Sequence, residues 1–295
     1  MWLVLFIVGA AVVALVVALL RVRPQGDNQR VAAISARARA VQGALLDTLP
    51  GWAAALGVLL AGTAATIAVF WPLGSIFKVL EPRVDLPLFR FAQARQGHAT
   101  WTAINEVVTQ MGNRPQVKVV CVIAALVLGV LWRKRAWWVP VVVIAAAFGF
   151  EKYSQAILGK VVARGHPPTT LGTYPSGGCA RILAIYGIIL YLVVITPRDS
   201  VRAGRLWLFG GLGMAAYIEG YTRIFLLEHW FTDVVGGWIF GSALLGVLVA
   251  ATATLARSVP INPPASARNA PRPVAGGQSP AEDAVLTRLD DRVCD

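Results

Sequence analysis

Three groups of polar residues interrupt a chain that is otherwise strongly apolar, and the last group has the most specific spacing. In the stretch YTRIFLLEHWFTDVVGG, residues 221–237, Arg223 precedes His229 by six positions and Asp233 follows it by four. A helix would place His229 beside Asp233. A carboxylate next to an imidazole fixes the tautomer and makes the ring more basic, so His229 is a candidate nucleophile or general base. The alternative is an interfacial His–Asp pair with a structural role.

The first group is GKVVARGHPP, residues 159–168, which offers Lys160, Arg164 and His166. Lys160 and Arg164 are four positions apart, so one helical turn would put both cations on the same face. Such a face could bind an anion. The alternative is a pair of snorkelling cations that mark the edge of a membrane.

The second group is GTYPSGGCAR, residues 172–181, in which Ser176 stands in a turn just before an apolar run. Backbone N–H groups at a helix N-terminus, together with a serine hydroxyl, can bind an anion. The alternative is an ordinary N-cap serine.

Composition indicates what kind of protein carries these groups. The chain has 295 residues, of which 57% are hydrophobic and only 14% charged, and its formal net charge is +12. Globular domains carry about 25% charged residues, so the deficit indicates a polytopic membrane protein. The basic residues cluster beside apolar runs, as membrane topology signals do, which argues against a nucleic-acid partner.

Apolar runs of about 20 residues, the length that spans a bilayer as helix, occur seven times. They cover residues 2–20, 52–80, 116–132, 136–158, 177–196, 205–222 and 232–255. We therefore predict an all-α polytopic membrane bundle, with a six-helix core over 51–256 and one extra transmembrane helix over 1–20. Residues 21–50 form a basic cytoplasmic linker in this prediction, and residues 257–295 form a disordered cytoplasmic tail.

The basic segments predict the orientation. Residues 21–50, 133–135 and 198–205 all carry arginine or lysine and would share one face, which the positive-inside rule makes cytoplasmic. The three polar groups then lie on the non-cytoplasmic face of the plasma (inner) membrane. Residues 81–115, on that same face, are compatible with an amphipathic interfacial helix or with a solvated loop.

In their order and their places at span ends, the three groups resemble the motifs of the type-2 phosphatidic acid phosphatase superfamily, which includes vanadium haloperoxidases. The family pattern is Lys-x6-Arg-Pro, then Pro-Ser-Gly-His, then Ser-Arg-x5-His-x3-Asp. The third motif is matched here with Thr222 in place of serine. The resemblance extends over about residues 52–255 and implies a six-helix core with the site near the outer surface.

The resemblance also implies a role for each residue. His229 would attack phosphorus and form a phosphohistidine, and Asp233 would orient it. The phosphate oxygens would be held by Lys160, Arg164, Ser176, the Gly177 backbone and Arg223. Such positive groups stabilise the charge on a transferring phosphoryl group, and this mechanism requires no metal ion or other cofactor.

Two motifs depart from the family pattern. With Pro167 on the motif proline, His166 stands at the second basic position and Gly159 at the lysine position. Gly178 replaces the histidine that, in the family, protonates the leaving oxygen. His166 could supply this proton instead.

A missing acid should affect the choice of substrate. An alkoxide is a strong base and leaves poorly without a proton, whereas phosphate, with a second pKa of about 6, leaves readily. General acid catalysis is typically worth about 10²–10⁴-fold. We expect a membrane lipid phosphatase or phosphotransferase that acts on a lipid phosphate or, preferably, a pyrophosphate such as polyprenyl pyrophosphate. The alternatives are a lipid-phosphate binding or transport protein without turnover and a partner-binding protein that keeps only the fold. The sequence leaves the oligomeric state open.

Overall fold

The long apolar runs form helices in the computed structural model, which describes residues 3–11, 46–96, 99–134, 136–168, 172–196 and 205–258 and five isolated positions before residue 46. These residues form helices and turns and contain no strand. They belong to the unit Met1–Val259, and a second unit, Pro260–Asp295, lies outside the described residues. Residues 3–11 are helical.

Nine further α-helices follow in the described part of the chain. They are α1 (Gly51–Leu80), α2 (Asp85–Gln93), α3 (Ala99–Val108), α4 (Arg114–Leu131), α5 (Trp138–Val162), α6 (Gly177–Arg181), α7 (Gly187–Ile195), α8 (Arg205–Phe225) and α9 (Phe231–Ser258). A 3-10 turn, Thr109–Gly112, precedes α4, and a π-helical turn, Ile182–Tyr186, joins α6 to α7.

Five of the described helical segments are long and apolar enough to cross a membrane: α1, α4, α5, the continuous segment Gly177–Ile195, and α9. The prediction of an all-α, multi-pass membrane bundle is confirmed. The predicted spans agree closely with the helix bounds, and the largest difference is at the end of α5, predicted at 158 and observed at Val162. Most of the predicted span 2–20 and of the linker 21–50, and the tail beyond Ser258, lie outside the described residues.

The sixth long helix of the core, α8, is more polar because it carries Glu219 and Arg223 near its C-terminal end. It packs against α9, against α3 and against the π-helical turn. Its charged end therefore lies inside the bundle, next to the start of α6.

Residues 81–115, for which the sequence allowed a helix or a loop, form α2, α3 and the 3-10 turn. Phe89 and Ala92 of α2 pack against Leu227 and Trp230 in the connection between α8 and α9. The Phe89 and Trp230 rings meet edge to face with centroids 5.5 Å apart. As a result, α2 covers the connection that carries His229.

A tyrosine held between two glycines fixes the turn before α6. The Tyr174 ring packs between α1 and α9: an added Cβ at Gly74 would lie 2.5 Å from the ring, and one at Gly236 would lie 2.6 Å from it. The Tyr174 hydroxyl donates to the carbonyl of Phe70 at 3.3 Å. Burial raises the pKa of this phenol, and the nearby Asp233 carboxylate raises it further. The phenol is therefore a neutral donor that anchors the turn between the two longest helices.

We predict that Gly74→Ala lowers the melting temperature of the detergent-solubilised protein, because the methyl group would overlap Tyr174 and also Val162. Overpacking of this kind costs about 1–3 kcal/mol. Gly57→Ala is the matched control, because Gly57 lies on the same helix and an added Cβ there meets no atom within 4 Å. Equal melting temperatures for the two variants would contradict the packing described here.

Candidate active site

A cavity of about 670 Å³ opens where α4, α5, α6 and the α8–α9 connection meet. Its polar lining includes Arg114, Gln155, Lys160, Arg181, Arg223 and His229, and the backbone of Gly177 and Gly178 forms part of its wall. Four cationic side chains and one imidazole thus face the same space. Such a cavity suits an anionic ligand, because cations in a partly desolvated site interact strongly with negative charge.

The predicted site residues divide into two sets. Lys160, Gly177, Arg223 and His229 line the cavity. Arg164, His166, Ser176 and Asp233 are not part of its lining. The structure therefore brings together half of the predicted set and places the other half behind it or outside it.

The imidazole of His229 lies against the carboxylate of Asp233, with Nδ1 and Oδ2 3.8 Å apart. Both atoms are buried, and neither has a hydrogen-bond partner among the described residues. A small rotation of either side chain would form the hydrogen bond, and such bonds are often long in structures without substrate. The connection is held locally by the carbonyl of Arg223, which accepts from the N–H groups of Glu228 at 3.0 Å and His229 at 3.4 Å.

Arg164 lies behind Asp233 and is fully buried. Its Nη1 donates to Asp233 Oδ1 at 2.9 Å, its Nε lies 3.2 Å from Glu81 Oε2, and its Nη2 bonds Asp85. Asp85 also accepts from the backbone N–H of Thr232 at 2.9 Å, next to the start of α9. In this arrangement Arg164 orients the carboxylate that faces the imidazole.

The prediction that Lys160 and Arg164 share one helical face is wrong. The helix α5 ends at Val162, and Ala163 has a left-handed backbone with φ 46°. This reversal sends Lys160 into the cavity and Arg164 towards the buried carboxylates.

His166 and Ser176 also differ from their predicted places. The His166 side chain is exposed, and its Nδ1 lies 2.7 Å from the carbonyl of Pro167. Ser176 is fully buried at the N-cap of α6, where its hydroxyl faces Cys179 Sγ at 3.5 Å. Its backbone N–H donates to the carbonyl of Asp233 at 2.9 Å, which joins the second motif to the third.

The guanidinium of Arg223 reaches the cavity but is already bonded on all three nitrogens. Nε donates to Glu219 Oε1 at 2.8 Å, Nη1 bonds Glu228, and Nη2 donates to Asn113 Oδ1 at 2.5 Å and to the Thr109 carbonyl at 3.2 Å. The Glu228 side chain is 28% exposed, so of the two carboxylates bonded to Arg223 it is the one that reaches solvent.

The sequence analysis missed Arg114, Gln155 and Arg181. Arg181 donates from Nε to the carbonyl of Gly112 at 2.7 Å and pairs with Glu151 at 3.3 Å. Arg114 donates to the neutral Gln155 side chain at 3.1 Å. A charged residue inside an apolar span is a signal of function, and Arg181 and Glu151 both carry that signal.

In the described part of the chain, no group of three or more His, Cys, Asp or Glu side chains is arranged to hold a metal ion. The Asp233 carboxylate beside His229 and the Glu81 and Asp85 carboxylates all bind the Arg164 guanidinium.

Comparisons with known proteins give a family model and a solved structure to which parts of this chain are similar. Residues 160–257 match the family model of the PAP2 superfamily. A solved structure described as the first transmembrane PAP2 type phosphatidylglycerolphosphate phosphatase from Bacillus subtilis is similar in fold, with a TM-score of 0.55. The two chains are 18% identical, and the match covers 63% of this chain and 93% of that one. The comparison with curated proteins gives no match.

We predict that Arg164→Gln strongly lowers the melting temperature, because it leaves the buried Asp85 and Asp233 carboxylates without their cation. Breaking a buried ion pair by removing one partner typically costs about 3–5 kcal/mol. Lys152→Gln, on the exposed surface of α5, makes the same change of charge and should leave the melting temperature nearly unchanged. A similar melting temperature for both variants would contradict the role given to Arg164.

Proposed function

We propose that this chain, whose residues 160–257 match the family model of the PAP2 superfamily, is an integral membrane lipid phosphatase or phosphotransferase that uses His229 as its nucleophile. The observation that carries this proposal is the shared cavity, in which the imidazole and four cationic side chains face one space. A phosphoryl group needs positioning and positive charge more than it needs any other catalytic assistance. The multi-pass membrane setting makes a lipid phosphate the natural substrate.

The geometry supports a division of labour between the two ring nitrogens of His229. Nδ1 is buried towards Asp233, so Nε2 is the nitrogen left for the cavity. With the proton held on Nδ1, the Nε2 lone pair attacks phosphorus, and the bond from phosphorus to the leaving oxygen breaks. Water, or an acceptor alcohol in a transfer reaction, then attacks the phosphohistidine and restores the imidazole.

We further propose that the preferred substrate is a lipid pyrophosphate such as polyprenyl pyrophosphate. Within the described residues, neither Arg114 nor Lys160 has a carboxylate partner, while Arg181 and Arg223 are paired. Two uncompensated positive charges in the cavity suit a ligand with more than one phosphate. Gly178 also supports a pyrophosphate substrate. A glycine cannot donate a proton, and a phosphate leaves without the proton that an alkoxide requires.

The second candidate function is binding or transport of a lipid phosphate without turnover. One observation favours it. The guanidinium nitrogens of Arg223 already bond Glu219, Glu228 and Asn113, so they are not available to bind a phosphoryl transition state. In the catalytic proposal, Glu228 yields Nη1 to the phosphate. The two functions differ in whether bound lipid is converted.

We predict that the purified protein releases phosphate from lipid pyrophosphates faster than from the matching monophosphates. His229→Ala should reduce this release by about 10³-fold or more, because the nucleophile is lost, and Asp233→Asn should reduce it strongly. The measurement is inorganic phosphate release over a panel of matched lipids.

His166→Ala is the comparison for that experiment, because its imidazole is exposed and outside the cavity. It should retain turnover of both lipids. A selective loss of monophosphate turnover would instead identify His166 as the acid. Lipid binding without phosphate release by the wild type would support the second candidate function, and wild-type rates in His229→Ala would exclude this nucleophile.

We propose that the cavity opens on the non-cytoplasmic side of the plasma membrane, with the C-terminus in the cytoplasm. The supporting observation is the basic character of residues 21–50, 133–135 and 198–205, which adjoin in the sequence the span ends that do not contribute to the cavity. The pocket residue Gln116 lies at one end of α4, and Arg133 lies just beyond the other.

We predict that, in intact cells, an impermeant thiol reagent labels Gln116→Cys and does not label Thr48→Cys, both in a Cys294→Ser background. Both positions are exposed, whereas the native Cys121 and Cys179 are buried. Permeabilised cells should label both variants, which controls for reactivity. The reverse labelling pattern in intact cells would overturn this orientation.

A further inference from the structure

A buried carboxylate occupies the space beside the motif position where the family's acid is absent. Glu219 of α8 is fully buried, and its Oε1 accepts from Arg223 Nε at 2.8 Å. In the part of the chain that the structure describes, its Oε2 has no hydrogen-bond partner. A buried carboxylate oxygen without a hydrogen bond destabilises the folded protein. The position of Glu219 therefore needs a reason beyond packing.

Two glycines from different segments form the walls around this carboxylate. An added Cβ at Gly178, at the start of α6, would overlap Glu219 Oε1 and lie 3.0 Å from Arg223 Nε and Nη2. An added Cβ at Gly112, in the 3-10 turn, would overlap the same oxygen and lie 2.9 Å from the Cα of Gly178. We call this space, bounded by Gly112, Gly178 and Arg223, the Glu219 slot.

We propose that Glu219 is a positioning residue for phosphate binding by Arg223, and that glycine is required at 112 and 178 because the carboxylate fills the slot between them. The absence of a side chain at 178 then follows from steric exclusion. Any acid at that position, including a histidine, would collide with Glu219. The positioning role in phosphate binding rests on the proposed function, whereas the steric exclusion in the Glu219 slot does not.

The geometry supports positioning rather than proton transfer. Glu219 is not part of the cavity lining and has no exposed surface, so it cannot touch a leaving group. Its contact is with Nε, while Nη2 is held by Asn113 and by the Thr109 carbonyl. These contacts fix the plane of the guanidinium and leave Nη1, bonded to the partly exposed Glu228, as the nitrogen that can exchange partners.

The slot is tested by a double-mutant cycle on the melting temperature of the full chain in detergent, without substrate. Gly178→Ala should lower the melting temperature, whereas Gly149→Ala, where an added Cβ meets nothing within 4 Å, should not. Adding Gly178→Ala to Glu219→Ala should cause a smaller further decrease than Gly178→Ala causes in the wild type, because the overlap with Glu219 Oε1 is gone and only the 3.0 Å contacts with Arg223 remain. Simple addition of the two single losses would overturn the slot, since independent sites add and coupled ones do not.

Positioning is tested with orthovanadate, through the concentration dependence of the melting temperature. Glu219→Gln and Glu219→Ala remove the same charge, but only the glutamine can still accept from Arg223 Nε. We expect the alanine variant to bind vanadate about tenfold more weakly than the glutamine variant, the worth of one charge-assisted hydrogen bond. Equal affinities in the two variants would show that Glu219 acts through charge or packing alone.

These measurements separate the two proposals. Absence of phosphate release by a wild-type protein that still binds vanadate would overturn turnover and leave Glu219 as a positioning residue for binding. Absence of vanadate binding by the wild type would overturn phosphate binding by Arg223, and the melting cycle would still decide whether Glu219 fills the slot.

Discussion

Charge compensation of buried arginines is the constraint on which the site end of the bundle depends. Arg164, Arg181 and Arg223 are all buried, and each is paired with a carboxylate. A charge removed from water costs several kcal/mol unless a partner and good hydrogen bonds offset it. The partners of Arg164 and Arg181 come from distant parts of the sequence, Asp85 before the first motif and Glu151 within α5. The pairs therefore fix where these helices meet, and the cavity is the space that remains among them.

The same constraint separates structural cations from cations that are free to bind a ligand. Arg164 is enclosed by carboxylates and orients Asp233, so its positive charge is already compensated by ion pairs. Arg114 and Lys160, by contrast, are exposed, and in the described part of the chain no carboxylate pairs with either. An arriving anion gains most from charges that lack a partner, because no existing ion pair has to be broken. In the proposed reaction these two residues attract the substrate, and Arg223 completes binding after Glu228 moves.

Sequence reasoning located the spans well because about 20 apolar residues are needed to cross a bilayer, and this requirement is local. It also grouped His229 with Asp233, which do lie side by side, but it wrongly expected one helix to hold both, since His229 precedes α9, which begins at Phe231. It failed for Arg164, since the left-handed residue Ala163 follows the end of α5 at Val162 and takes Arg164 off the helical face that carries Lys160. It could not pair Arg181 with Glu151, which lie 30 positions apart and meet only when α5 packs against α6. Ion pairs between residues that are distant in the sequence depend on the tertiary structure, which the sequence pattern does not give.

Two neighbouring glycines in the cavity wall, Gly177 and Gly178, each allow a different side chain to approach the backbone. At Gly177 an added Cβ would lie 2.8 Å from Arg181 Nη1, and at Gly178 it would overlap Glu219. The Arg181 guanidinium approaches the backbone at Gly177, and the Glu219 carboxylate and the Arg223 guanidinium approach it at Gly178. These close contacts are possible only because both positions lack a side chain. A motif that lacks its histidine is therefore not simply a weakened motif. If the Glu219 slot is correct, the chain has exchanged a proton donor at the surface of the cavity for a buried carboxylate that holds an arginine in place. In the proposed function, this exchange favours substrates whose leaving group needs no proton.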